Sequence, residues 1–154
     1  MTDAASAAQP ETLWTPDLEL GIPLIDGQHR KLVEHLGRLR QSVEAGRPSR
    51  EASECVDFLS QYTEEHFQTE ERFMAKHYYP QLAEHQRLHE VFRSTVARAE
   101  RAITTRLEFA QVIQLVQSML VNWFIEHIKG TDQLYVNNLR ERGLIKKATA
   151  ELRA

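Results

Sequence analysis

Two pairs of residues at helical spacing carry the chemistry of this sequence. His66 and Glu70 stand four residues apart, as do His85 and His89, so on a helix each pair projects from one face, one turn apart. His29 and His127 lie on apolar stripes of their own, with Val33 and Leu36 in one case and Val116, Leu120 and Trp123 in the other. Imidazole nitrogens and carboxylate oxygens are metal ligands, and a carboxylate can reach two ions at once. For any single histidine the plainer reading is a buried ring that hydrogen-bonds to neighbours and binds nothing. Whether these side chains act together depends on the elements that carry them.

Glycine and proline punctuate the chain sparsely, and four long segments result. The first spans about Asp26 to Ala45, with Leu32, Val33, Leu36, Leu39 and Val43 at helical spacing, and stops at Gly46-Arg47-Pro48. The second runs from an N-cap at Ser49 to Lys76, with Val56, Leu59, Tyr62, Phe73 and Met74 as its stripe. The third begins at Pro80, whose missing N–H costs nothing in a first turn, and carries Leu82, Leu88, Phe92, Val96 and Ile103 to about Thr104. A helix unbroken from Pro80 to Lys129 is too long for a compact domain, and Thr105-Arg106-Leu107-Glu108 offers a capping box that places the break. The fourth carries Val112, Val116, Leu120, Trp123 and Phe124 and loosens around Gly130. Short links between amphipathic helices predict an all-α, antiparallel up-down-up-down four-helix bundle. Residues 1–12 are expected to be a flexible tail and 13–140 the bundle with its N-terminal extended arm. Residues 141–154 form a C-terminal extension without an assigned role, and residues 133–154 extend the last helix or append another.

In an antiparallel hairpin, residues equidistant from the turn share a height, because each helix rises about 1.5 Å per residue. His29 and His66 are equidistant from the Gly46–Pro48 turn, Glu70 and His89 almost so from Pro80, and His85 and His127 from a break near Arg106. Three hairpins thus bring five imidazoles and a carboxylate to one layer, where leaving them unpaired is costly and coordination satisfies them together. Five histidines exceed what one tetrahedral ion uses, so two ions fit better. Two divalent ions 3.5 Å apart repel by roughly 20 kcal/mol at an effective dielectric of 20, and bridging anions make that tolerable. Glu70 is the first bridge. Asp132 is the second, although five residues from His127 is about 140° round an ideal helix, so the turn through Gly130 must widen or unwind. His77 and His35 fall outside the layer, and the runs Glu64-Glu65 and Glu70-Glu71 read as solvated face apart from Glu70.

Composition narrows the classes. The 154 residues are 42% hydrophobic and 27% charged, which fits one globular domain and excludes disorder. With 19 basic and 22 acidic residues and no basic block, nucleic acid is not an expected partner. The one cysteine, Cys55, rules out an intrachain disulfide and a thiolate metal site, which suits a reducing compartment. No secretory signal or membrane span is read, so a cytoplasmic location is expected.

Trp14, Leu20-Gly21-Ile22, Ile25-Asp26-Gly27-Gln28-His29, His66 with Glu70, Met74 and Tyr79-Pro80, His85 with His89, and Trp123 with His127-Ile128 and Asp132 together resemble the hemerythrin family, in particular its single-domain bacterial members. The motifs span about Leu13 to Leu139. The resemblance implies a non-haem di-iron centre cycling between Fe2+ and Fe3+, with one iron held by His85, His89 and His127 and the other by His29 and His66. Glu70, Asp132 and an oxo or hydroxo group derived from solvent bridge the two, and dioxygen binds reversibly at the open position of the two-histidine iron. It also implies that Phe124 lines the oxygen pocket. Trp123, Met74 and Tyr79 read as packing and turn residues. The expected activity is oxygen storage, delivery or sensing by a protein that is not an enzyme, and any protein recipient of the oxygen is unidentified. The alternative is a di-iron oxidase, peroxidase or nitric oxide scavenger. Against it, ferritin-like oxidases use carboxylate-rich sites with Glu-x-x-His spacing, which this layer lacks.

Overall fold

The computed structural model describes residues 13–46, 50–105, 111 and 114–152, and among these there is no strand. Three long helices come first: α1 (Pro23–Glu44), α2 (Arg50–Lys76) and α3 (Leu82–Thr104). The fourth rod, α4, runs over residues 115–141 as a π-helical stretch Leu115–Asn122, an α-helical turn Trp123–His127, a second π-helical turn Ile128–Asp132 and an α-helix Gln133–Glu141. α1 packs on α2, α2 on α3, and α4 lies against both α1 and α3, which closes the antiparallel four-helix bundle. A short α5 (Ile145–Glu151) follows and buries Ala148. The tail 1–12, Ser49 as an N-cap and Arg106 to Glu108 of the capping box lie outside the described residues. No helix among the described residues is long and apolar enough to cross a membrane.

The apolar stripes meet as the periodicity predicts. Leu32, Leu36 and Leu39 of α1, Val56 and Leu59 of α2, Phe92 and Val96 of α3, and Val116 and Leu120 of α4 are buried in one cluster. The arm adds Leu18, Leu20 and Ile22, each 0–1% exposed. It is fastened by Asp26, whose Oδ1 accepts from the Leu20 N–H at 2.8 Å and Oδ2 from the Gly21 N–H at 3.0 Å. Arg140 closes it from the other side by donating to the Leu20 carbonyl at 2.8 Å. Gly21 has φ +85°, and a Cβ there would meet the Arg140 guanidinium at 3.3 Å, so this turn requires glycine.

Two boundaries differ from the sequence reading. α1 starts at Pro23, three residues before Asp26, because proline fits the first helical turn and leaves Asp26 free to hold the arm. α3 starts at Leu82 rather than Pro80. α2 ends in a Schellman motif in which Tyr79 N–H donates to Met74 O at 2.9 Å and Tyr78 N–H to Ala75 O at 3.2 Å. Tyr78 sits at φ +53°, and the turn occupies Pro80 and Gln81 before the helix begins. The α3 boundary at Thr104 agrees, with Thr105 Oγ1 donating back to the Arg101 carbonyl at 2.7 Å.

Candidate metal centre

All four rods deliver donors to one cross-section. α1 supplies His29, α2 His66 and Glu70, α3 His85 and His89, and α4 His127 and Asp132. Each is at most 5% exposed. They form two groups whose ligand atoms lie within 4.8 Å of one another: Glu70, His85, His89, His127 and Asp132 in one, His29, His66, Glu70 and Asp132 in the other. The sequence reading's seven residues are therefore gathered in one place, while His35 and His77 are not among them.

The two carboxylates straddle the groups. Glu70 Oε1 lies 3.6 Å from Nε2 of both His29 and His66, and Oε2 lies 3.6 Å from His85 Nε2 and 3.4 Å from His89 Nε2. Asp132 Oδ2 lies 3.2 Å from His29 Nε2, and Oδ1 lies 3.1 Å from Nε2 of both His85 and His127. Nε2 atoms also converge, at 3.0 Å for His29 and His66 and 3.2 Å for His89 and His127. All four carboxylate oxygens and His85 Nε2 are buried without a hydrogen bond. Left so, each orphan costs about 1–3 kcal/mol. The atoms face shared central points, and neighbouring ligands about 2.1 Å from an octahedral ion would stand about 3.0 Å apart. The donor set and its spacing fit a pair of metal ions.

The fifth-residue offset of Asp132 is solved by the backbone. An i→i+5 turn over Ile128–Asp132 carries Asp132 round to the face of His127, as the widened turn through Gly130 requires. A Cβ on Gly130 would meet nothing within 4 Å, so crowding does not impose the glycine.

Outer contacts aim the rings. His66 Nδ1 donates to Gln28 Oε1 at 2.8 Å and His89 Nδ1 to Glu71 Oε1 at 2.7 Å, which turns the Nε2 lone pairs inward. The sequence reading gave Gln28 no role and placed Glu71 on the solvated face. Its side chain is in fact only 17% exposed, because the residue after Glu70 turns about 100° into the seam with α3. A carboxylate next to a bridging position on a helix that pairs with a histidine helix is the signal that could have found it.

Phe124, fully buried, stands edge-on to the two-histidine group, with ring centroids 5.8 Å from His29 and 6.4 Å from His66. Trp123 stacks on His127 at 4.6 Å and packs against Phe92. His77 instead meets Glu151 Oε2 at 3.0 Å, and His35 stacks on Phe58 at 3.5 Å.

Without metal, protons compete for the same nitrogens. Burial opposes charge on His29 and His85, but Asp132 and Glu70 beside them outweigh it and push both up to about 9. Burial dominates at His66 and drives it down to about 3. Burial also opposes charge on Glu70 and Asp132, yet the surrounding histidines hold both well below the usual carboxylate range. For the metal-free fold, the two raised histidines contribute stability that is complete below their unfolded value of 6.5 and lost as pH rises through about 9. Metal must displace those two protons. The overall affinity for a Zn2+ pair should therefore rise by up to about 100-fold per pH unit between 6.5 and 8.5. A competition titration that is flat across this range would contradict that ordering.

Comparison with known proteins places the chain. Residues 20–139 match the sequence profile of the hemerythrin HHE cation binding domain. The chain is 34% identical over 131 residues to a bacteriohemerythrin of Stenotrophomonas maltophilia, covering 83% of this chain and 81% of that protein. A bacteriohemerythrin of Pseudomonas aeruginosa is 30% identical over 131 residues, with the same coverage of 83% and 81%. The myohemerythrin of Riftia pachyptila is 27% identical over 127 residues, covering 82% of this chain and 92% of that protein.

Proposed function

Because the chain belongs to the hemerythrin family, we propose that it binds dioxygen reversibly at a non-haem di-iron centre rather than acting as an enzyme. His85, His89 and His127 would hold one iron and His29 and His66 the other, with Glu70 and Asp132 available to both. The observation that carries the reading is an inequality: one group offers five protein donors and the other four, although both share the same two carboxylates. If a single solvent-derived ligand were shared by both ions, the first group would hold a six-coordinate ion and the second would keep one position free for an exogenous ligand. Bound as a bridged ferrous pair, the irons would supply that position and two electrons.

The chain's own residues do the rest. The hydrogen bonds that His66 and His89 donate to Gln28 and Glu71 keep their rings aimed. Phe124, fully buried and edge-on to His29 and His66, walls the four-donor side with hydrocarbon. Such a wall admits a small apolar molecule and excludes water and competing anions. The histidine-rich donor set supports binding over oxidation.

The test is anaerobic loading with ferrous iron, a metal count, and then exposure to air. Two irons per chain and a colour that appears in air and fades when oxygen is removed would support the reading. Fewer than two irons, or no colour, would overturn it, and a colour that never reverses would favour the oxidase alternative. Phe124→Ala should keep two irons but shorten the lifetime of the air-induced colour. Because truncating a buried phenylalanine costs about 3–5 kcal/mol, Phe124→Leu serves as the milder companion. An unchanged lifetime in both variants would remove Phe124 from the pocket.

A further inference from the structure

The two groups differ in what stands behind their rings. His66 donates its Nδ1–H to the neutral amide of Gln28, whereas His89 donates to the carboxylate of Glu71 at 2.7 Å. A charged acceptor makes a hydrogen bond roughly twice as strong and pushes electron density through the ring onto Nε2. Nε2 of His29 and His66 face the group without that support, and the Nδ1 atoms of His29 and His85 are buried without a partner.

Glu71 is itself shared. The Oε1 that accepts from His89 lies 3.3 Å from Arg93 Nη2, and Gln86 Nε2 reaches Oε2 at 3.4 Å. Arg93 is anchored by its Nε–H to Glu64 Oε2 at 2.7 Å, and its guanidinium sits 5.3 Å over the Phe67 ring. Phe67 stacks on His89 with centroids 3.7 Å apart and planes within 7°. A cation thus touches His89 by two routes, through the oxygen it competes for and through the ring against which the imidazole lies.

We propose that Glu71 is a positioning residue that makes the three-histidine position the stronger holder of the ferric state, and that Arg93 sets how far it does so by drawing charge from the same oxygen. The proposal rests on the di-iron reading above. Greater electron donation from His89 Nε2 would favour the higher charge on a metal held there and lower its reduction potential. Glu71→Gln weakens the acceptor, so it should raise the potential of the iron-loaded protein and weaken Zn2+ or Co2+ binding at this position about 10–100-fold. Arg93→Gln frees the shared Oε1 of Glu71 for His89, so it should move the potential the opposite way. A residue that served packing alone would not give opposite signs for the two variants.

The experiment compares wild type, Glu71→Gln and Arg93→Gln by metal count, by redox titration of the iron-loaded chain, and by proton NMR of the Zn2+-loaded chain. A slowly exchanging, far-downfield Nδ1 proton of His89 should be present in wild type, shift upfield in Glu71→Gln and move further downfield in Arg93→Gln. Opposite displacements of both the potential and the proton support the proposal. Unchanged or same-sign displacements overturn it while leaving the di-iron reading intact if wild type holds two irons, and a wild type that holds fewer than two fails that reading instead. Should Glu71→Gln not fold, the Arg93→Gln comparison alone decides, since no displacement there overturns the proposal.

Discussion

Glu70→Ala should reduce the metal content from two ions to at most one per chain. The two oxygens of Glu70 lie in different groups, so one truncation removes a donor from each. The five-donor group keeps His85, His89, His127 and Asp132, enough for a four-coordinate ion. The other is left with His29, His66 and Asp132, and the repulsion of roughly 20 kcal/mol between two divalent ions would be screened by a single carboxylate. Metal analysis after Zn2+ or Fe2+ loading and desalting measures this directly. His35→Ala and His77→Ala, which alter histidines outside both groups, should still hold two. Two ions in Glu70→Ala would remove this carboxylate from its bridging place.

Loading should also stabilise the chain strongly. The metal-free fold buries two carboxylates whose nearest partners are the surrounding imidazoles, and metal would replace those partners. A ligand that binds the folded chain alone adds about 4 kcal/mol at a free concentration of 1,000 Kd. For a domain of this size 1 kcal/mol moves Tm by about 2–4 °C, so saturating Zn2+ should raise Tm by roughly 8–16 °C over the chelator-treated protein. Calorimetry with and without metal would show it. A shift of under about 2 °C would mean that these side chains do not gain an ion on loading.

Much of this was legible beforehand, and the omissions share a cause. The 3.6-residue stripes gave the four rods, and equal distances from three turns put the donors at one height, because rise per residue is nearly constant along a helix. The offset from His127 to Asp132 even pointed to a widened turn, found at Ile128–Asp132. What periodicity cannot supply is rotation about the rod relative to a particular neighbour. Glu70 and Glu71 are chemically identical and adjacent, and only the placement of α3 separates a residue facing two groups from one behind His89. Leu18, Leu20 and Ile22 alternate along the arm, and their burial depends on Asp26 and Arg140, the latter 120 residues further on. The longer π-helical stretch Leu115–Asn122 left no mark in the apolar spacing from which α4 was read.

The gathering of donors from separate rods has a kinetic meaning. His29, His66 and Asp132 belong to three different helices, as do Glu70, His85 and His127, so fraying at the end of any one helix removes only part of the grip. An ion seated there could escape only when rods part, and its departure would then run at the pace of global opening. Exchange against a chelator would then report how often the whole bundle breathes.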